Sequence, residues 1–140
     1  MGNRAVITAS KLKESGLGIY LHWGGGIESV VALLDVAKQL RYRSPSVDES
    51  YGMARLCSLA CLMSGIRMDN GVGINDLSKL DCDNFDNGVY VIEDWSIVDR
   101  WGKGSRPFTQ DDIEAARRDP AYGALVEHLI AEMDRIEATV

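Results

Sequence analysis

The stretch IYLHWGGGIESVVALL, residues 19–34, predicts a strand that passes into a helix through three consecutive glycines. The residues before the glycines are mainly apolar or aromatic and end at Trp23, as expected of a short strand. From Ile27 onward the apolar residues recur at 30, 31 and 34, which is helical spacing. The glycine turn therefore lies at the junction of two different elements.

The glycines at this junction allow two interpretations. Gly24, Gly25 and Gly26 would let backbone N–H groups approach an anion, and the helix that follows adds unpaired N–H donors and a positive dipole end. Alternatively, they form a tight turn that allows Trp23 to pack. The pattern is neither a dinucleotide-binding fingerprint nor a P-loop, so both interpretations stay open. Under the first one, Trp23 and the three glycines border a ligand.

The remaining elements follow from the same periodicity rules. β-Branched and apolar residues predict strands at 3–9, 17–23, 88–94 and 95–101, with a short extended piece near 72–74. Helices are predicted from residue 27 to a break before Pro45, and from 49 to 64, with Gly65 as a C-cap. The helix at 49–64 is apolar almost all round, which predicts that it is the buried central helix.

The end of the chain is predicted to be helical. Thr109 and Asp112 form the pattern of a capping box, and Asp119 before Pro120 marks the start of a last helix that reaches about residue 138. The chain therefore predicts one α+β domain, residues 1–140, in which a small antiparallel sheet packs with a central helix pair and a helical C-terminal extension at 109–140. The wide apolar face of the last helix must be covered by the core or by another subunit, which favours a homodimer.

Composition excludes several classes of function. The chain has 140 residues and a formal net charge of −6, so one domain is expected and polymeric nucleic acid is a poor partner. We find neither an apolar run of about 18 residues nor a secretory signal, so we expect a cytoplasmic protein without a membrane partner. The three cysteines are expected to be reduced thiols.

The acidic stretch DCDNFDNG, residues 81–88, resembles a calcium loop only in composition. Phe85 stands at the fifth ligand position and Ile92 at the twelfth, where a glutamate is required, so an EF-hand is excluded. Asn87 followed by Gly88 indicates a turn. The stretch is either a plain loop or a loop in which Asn84 and Asn87 bind ribose hydroxyls or an adenine edge while Phe85 offers a stacking surface.

Two arginines are candidates for binding an anion. Arg55 lies in the most apolar helix, and a buried arginine needs either a carboxylate partner or an anionic ligand. Arg100 lies near the end of a predicted strand, beside Trp101, and either clamps a phosphate or is an exposed strand-end residue. Cys57 and Cys61 lack the two further ligands of a zinc site, and His22 lacks a nearby nucleophile signature. We therefore expect no metal, no cofactor and no catalytic residues.

The ordered segments NRAVIT, GIYLHWGGG.ES, YGMARLC, LDCDN.DNGVYVIEDW and IVDR resemble the Thoeris anti-defence sponge family of bacteriophages and prophages. The resemblance covers residues 3–100. It implies a non-enzymatic protein that sequesters cyclic ADP-ribose isomers made by bacterial TIR-domain enzymes, and for some members also cyclic oligonucleotides. It further implies dimers that can associate, with pockets at subunit boundaries.

By the same resemblance, Arg55, Asn87 and Arg100 are the expected polar groups of the pocket, with Leu77 or Phe85 against the base. The chain departs from the family at Ile27, where a basic residue is expected, and this argues against a second, cyclic-oligonucleotide site in that loop. Two other classes stay open from the residues. One is a nucleotide-processing enzyme with His22 or Asp83 as its base, and the other is an inhibitor that binds a host defence complex through its acidic surface.

Overall fold

The computed structural model describes residues 2–64 and 70–138, which form one sheet and four α-helices. The predicted C-cap at Gly65 lies outside the described residues. The strands are β1 (Ala5–Thr8), β2 (Leu17–Leu21), β3 (Val72–Asp76), β4 (Val89–Glu93) and β5 (Ser96–Trp101). The helices are α1 (Ile27–Gln39), α2 (Glu49–Ser64), α3 (Gln110–Arg118) and α4 (Pro120–Ala138), and a short 3₁₀ turn covers Leu77–Lys79.

The sheet has the strand order β3-β2-β1-β4-β5. The α+β class is confirmed, but the sheet is mixed, so the expectation of a wholly antiparallel sheet is wrong for one pair. Strands β1 and β4 are parallel, with Val6 opposite Val89. The reason is the connection between β3 and β4, residues 77–88, which takes the chain past β2 and β1 to the other side of β1, where β4 runs parallel to it. The antiparallel pairs β1–β2 and β4–β5 thereby join into a single sheet.

The buried helix is α1, and the prediction that α2 fills this position is wrong. Helix α1 buries seven residues against the sheet and the other three helices: Val30, Val31, Ala32, Leu33, Leu34, Val36 and Ala37. Helix α2 buries one side, centred on Leu56 and Leu59, and exposes Ala54 and Ser58 on the other. The exposed side also carries Tyr51, which is 42% exposed. Tyrosine and alanine count as apolar in the sequence but tolerate exposure, so the apolar composition of α2 does not require burial on all sides.

Helix α4 covers the core within its own chain. Leu129 is fully buried, and Val126 and Met133 are among the neighbours that pack partly buried against the core. This cover removes the apolar face of α4 as an argument for a second subunit. A shared carboxylate holds the helices together, because Asp35 of α1 accepts hydrogen bonds from Arg117 Nε at 2.8 Å and from Tyr122 Oη at 2.6 Å.

The capping box at the start of α3 is confirmed. Thr109 Oγ1 accepts from the backbone N–H of Asp112, and the Asp112 carboxylate accepts from the backbone N–H of Thr109. At the next helix, Asp119 Oδ1 accepts from the N–H of Ala121 at 2.8 Å. Within the described ranges, no helix is long and apolar enough to cross a membrane.

Two helical glycines give a matched test of this packing. A Cβ at Gly52 in α2 would lie 2.8 Å from Pro45 Cα and closer still to Pro45 N, whereas a Cβ at Gly123 in α4 meets nothing within 4 Å. Gly52→Ala should therefore destabilise the protein by about 1–3 kcal/mol through overpacking. Gly123→Ala should stabilise it by up to about 1 kcal/mol through helix propensity. Urea unfolding of both variants checks this, and equal stabilisation by both would contradict the close contact at Pro45.

Candidate functional site

A cleft of about 460 Å³ lies where the start of α1, the loop after the 3₁₀ turn, β5 and α3 meet. Each of these elements contributes side chains from a different part of the chain. The lining residues are Asn3, Gly26, Ile27, Glu28, Asp86, Asn87, Arg100, Gly104, Arg106, Asp112, Ala115, Ala116 and Asp119.

Asn84 builds the loop that forms one wall of the cleft. Its side chain is buried, and its Nδ2 donates to the carbonyls of Asp81 and Gly88 at 3.0 and 3.1 Å. Its Oδ1 accepts from the backbone N–H groups of Asp86, Asn87 and Gly88 at 3.0–3.1 Å. Both ends of the amide are therefore committed to the loop, and Asn84 shapes the site without contacting the cleft.

The same loop is fastened to Asn3 and Arg4, which immediately precede β1. Asp86 Oδ2 accepts from Arg4 Nε at 2.8 Å, and this hydrogen bond is the main reason that the pKa of Asp86 lies below its ordinary value. Asn87 lines the cleft, and its Nδ2 donates to the Arg4 carbonyl at 2.9 Å and to Asn3 Oδ1 at 2.6 Å. The predicted contact residue Asn87 thus lies at the cleft with its N–H groups directed to the start of the sheet.

Arg100 is a cation held in place at the cleft wall. Its guanidinium carbon lies 4.4 Å from the centre of the Tyr90 ring, and its Nη2 donates to the Asn87 carbonyl at 2.8 Å. Its Nε is buried and has no hydrogen-bond partner. Tyr90 is itself fixed, because its hydroxyl donates to the Gly25 carbonyl at 2.8 Å, and burial raises its pKa. Arg100 therefore needs little ordering to meet an anion.

The three glycines have different roles. Gly26 is the N-cap of α1, provides no side-chain cap, and lines the cleft. Gly25 donates its N–H to the Asn3 carbonyl at 2.8 Å, and a Cβ there would lie 2.6 Å from that oxygen and 2.7 Å from Ala5 Cβ. Gly24 has a φ of +72°, and a Cβ there would lie 2.7 Å from the Met63 terminal methyl. The turn interpretation therefore describes Gly24 and Gly25, and the cleft interpretation describes Gly26.

The other predicted site residues lie elsewhere. Trp23 is 46% exposed and packs edge-to-face on His22, and Phe85 is 70% exposed on the outside of its loop with a φ of +62°. Leu77 is buried in a second small core on the opposite face of the sheet. Arg55 lies on α2, with its guanidinium carbon 4.7 Å from the centre of the Tyr51 ring and its Nε without a hydrogen-bond partner.

Three carboxylates of the cleft are occupied by neighbours. Asp86 binds Arg4, Asp112 caps α3, and Asp119 caps α4. Asp112 and Asp119 keep their negative charge, because the backbone N–H groups that they accept from are neutral.

Among the described residues, the charged side chains of the lining that make neither an ion pair nor a helix cap are Arg100, Arg106 and Glu28. In the described part of the chain, neither Arg106 nor Glu28 has an ion-pair partner. Glu28 is folded back over the start of α1, since a Cβ at Gly26 would lie 2.6 Å from its Oε1. The cleft thus offers two guanidiniums and one carboxylate to a ligand. Glu28 and Arg106 were missed from the sequence, because nothing local distinguishes them from solvated surface charges.

Among the described residues, no group of three or more His, Cys, Asp and Glu side chains is placed to hold a metal ion. Comparison of the chain with protein-family models, curated proteins and solved structures finds no match.

Gly25→Val should damage the fold, because the new side chain would collide with the Asn3 carbonyl and with Ala5 on the central strand. Gly73→Val is the matched control, since a Cβ at Gly73 in edge strand β3 comes no closer than 4.0 Å to another side chain. In thermal melts, we expect a large loss of stability for the first variant and little change for the second. A Gly25→Val protein as stable as the wild type would overturn the packing role of Gly25.

The Arg4–Asp86 pair predicts a defined pH response. The folded-state pKa of Asp86 is lowered, so its contribution to stability is present above the ordinary carboxyl pKa and is lost as the pH falls through the folded-state value. Arg4→Gln should raise the pKa of Asp86 in an NMR titration. The pKa of Asp76, which is lowered mainly by Ser78, should not move. An unchanged Asp86 titration would exclude Arg4 as the cause.

Proposed function

We propose that this protein binds a small phosphorylated nucleotide of the cyclic ADP-ribose type in the cleft and holds it without cleaving it. In this role it is a phage or prophage immune-evasion protein that removes the signal of a Thoeris-type bacterial defence. The observation that carries the proposal is that two guanidiniums, Arg100 and Arg106, line the cleft without a carboxylate partner among the described residues. The resemblance described above supplies the ligand class.

The chemistry of the cleft suits a diphosphate joined to sugars. Guanidiniums bind phosphate oxygens through paired, charge-assisted hydrogen bonds. Glu28 accepts hydrogen bonds from hydroxyl groups and repels phosphate, so the phosphates are expected on the side of Arg100 and Arg106 and the hydroxyls on the side of α1. The volume of about 460 Å³ is within the range of small-molecule pockets.

Sequestration is favoured over turnover by the residue types around the cleft. The described lining contains neither histidine nor cysteine, and its carboxylates other than Glu28 are committed to Arg4 or to helix caps. General acid–base catalysis commonly needs a second group poised to exchange a proton with the reacting atoms. His22, the base considered from the sequence, is hydrogen-bonded to Tyr20 through Nδ1 at 2.9 Å and lies outside the cleft lining.

Calorimetry with individual cyclic ADP-ribose isomers tests the proposal. Arg106→Gln should weaken binding by about tenfold or more, as expected for a lost charge-assisted hydrogen bond. Arg118→Gln on α3 is the control, because it makes the same charge change at an arginine that does not line the cleft. Arg55→Ala on α2 should leave the affinity near that of the wild type. Equal losses for Arg106→Gln and Arg118→Gln would mean that the cleft is not the binding site.

Heating the loaded protein and analysing the released ligand separates the three classes of function. Intact ligand supports sequestration, and altered ligand would instead show an enzyme. Absence of binding for every isomer would leave the protein-binding inhibitor. The homo-oligomer implied by the resemblance is part of the proposal, and light scattering of the free and loaded protein measures it.

A further inference from the structure

The face of the sheet that carries no helix has a second concave region, distinct from the cleft. Two adjoining cavities of about 630 and 340 Å³ share Lys13 and Trp101 and run beside β5. The larger cavity lies over Leu80 and Cys82, and the smaller over Val91 and Val98. We call the two cavities together the Trp101 groove.

The floor of the Trp101 groove is apolar and continuous with a small core. Val6, Leu77 and Val89 are buried there, and Leu80, Cys82 and Trp101 pack partly buried against them. Trp101 is the register partner of Val89, which places both side chains on this face of the sheet. The sheet thus presents one aromatic ring to a groove that is open to solvent.

A cation already lies over this ring. Lys13 Nζ is 5.8 Å from the centre of the Trp101 ring, and Lys13 belongs to the exposed loop between β1 and β2. In the described part of the chain, Lys13 has no carboxylate partner. A single exposed cation–π contact is weak, so another cation can replace Lys13 on the ring.

The side chains around the groove favour a positively charged ligand. Asp81 is paired with Arg4, and Glu93 is paired with Lys11 at 3.6 Å. Glu14 and Asp99 have no ion-pair partner within the described ranges. The full set is five carboxylates against two lysines: Glu14, Asp81, Asp83, Glu93 and Asp99 against Lys11 and Lys13.

We propose that the Trp101 groove binds an extended basic peptide segment of a partner protein, with an arginine or lysine side chain replacing Lys13 on the Trp101 ring. The two cavities in line fit a chain better than a compact cation, which would fill only one of them. The groove also follows β5, which pairs only with β4 among the described strands. Its free edge leaves backbone groups for an extended segment.

The test uses the full chain and the blocked peptide acetyl-Gly-Arg-Gly-Arg-Gly-amide, with the neutral citrulline peptide as its control. The NMR signal of the Trp101 indole N–H, assigned by its loss in Trp101→Leu, should shift with the arginine peptide and not with the citrulline peptide. Lys13→Gln should tighten binding about twofold because it removes the competing cation, and Trp101→Leu should weaken binding about fivefold. Lys38→Gln on α1 makes the same charge change away from the groove and should have a smaller effect.

Three results would overturn the proposal. The first is an unmoved Trp101 indole signal at millimolar arginine peptide. The second is equal binding of the arginine and citrulline peptides. The third is equal tightening by Lys13→Gln and Lys38→Gln, which would show only the effect of net charge. Because Lys13 lies in an exposed loop, its variant remains informative even if Trp101→Leu disturbs the sheet.

Discussion

The side-chain amide of Asn84 is the interaction on which the cleft depends. It makes five hydrogen bonds within residues 81–88, and it is buried, so losing it would leave several backbone groups unsatisfied. Those bonds direct Asp86 toward Arg4 and place the Asn87 carbonyl where it accepts from Arg100. The orientation of the cleft's fixed cation is therefore set by a residue that does not line the cleft.

Much of the fold could be predicted from local sequence, because helix and strand periods, the Thr109–Asp112 capping box and the Asp119 cap are short-range signals. The parallel pairing of β1 with β4 could not, since it is decided by the path of residues 77–88, which connect the edge strand β3 to β4 on the far side of β1 and carry no local signal for that path. The prediction that α2 is the buried central helix was also wrong. Apolar composition does not separate a helix that buries seven residues, such as α1, from one such as α2 whose exposed side carries Tyr51 and Ala54.

Only some residues of the candidate site could be predicted, namely those that belong to a segment with a recognisable sequence pattern. Residues 81–88 and Arg100 stand out in the sequence, and the structure brings Asn87 and Arg100 together with Gly26. Glu28 and Arg106 join them through tertiary packing, so no spacing rule could find them. Arg55 is the opposite case, because it was predicted as a site residue but does not line the cleft. An arginine in an apolar helix indicates a partner, but here the partner is the ring of Tyr51 rather than a carboxylate in the described part of the chain.

The charge and the width of the cleft are determined by different elements of the fold. Its fixed positive charge is Arg100 of β5, held by the carbonyl of Asn87, whereas Ala115 and Ala116 of α3 supply small side chains along the other wall. Larger residues at Ala115 would narrow the space available to a ligand and leave the sheet and Arg100 untouched. Ligand size and ligand charge can therefore diverge separately in variants of this chain, with α3 adapting to new molecular shapes while the electrostatic anchor is retained.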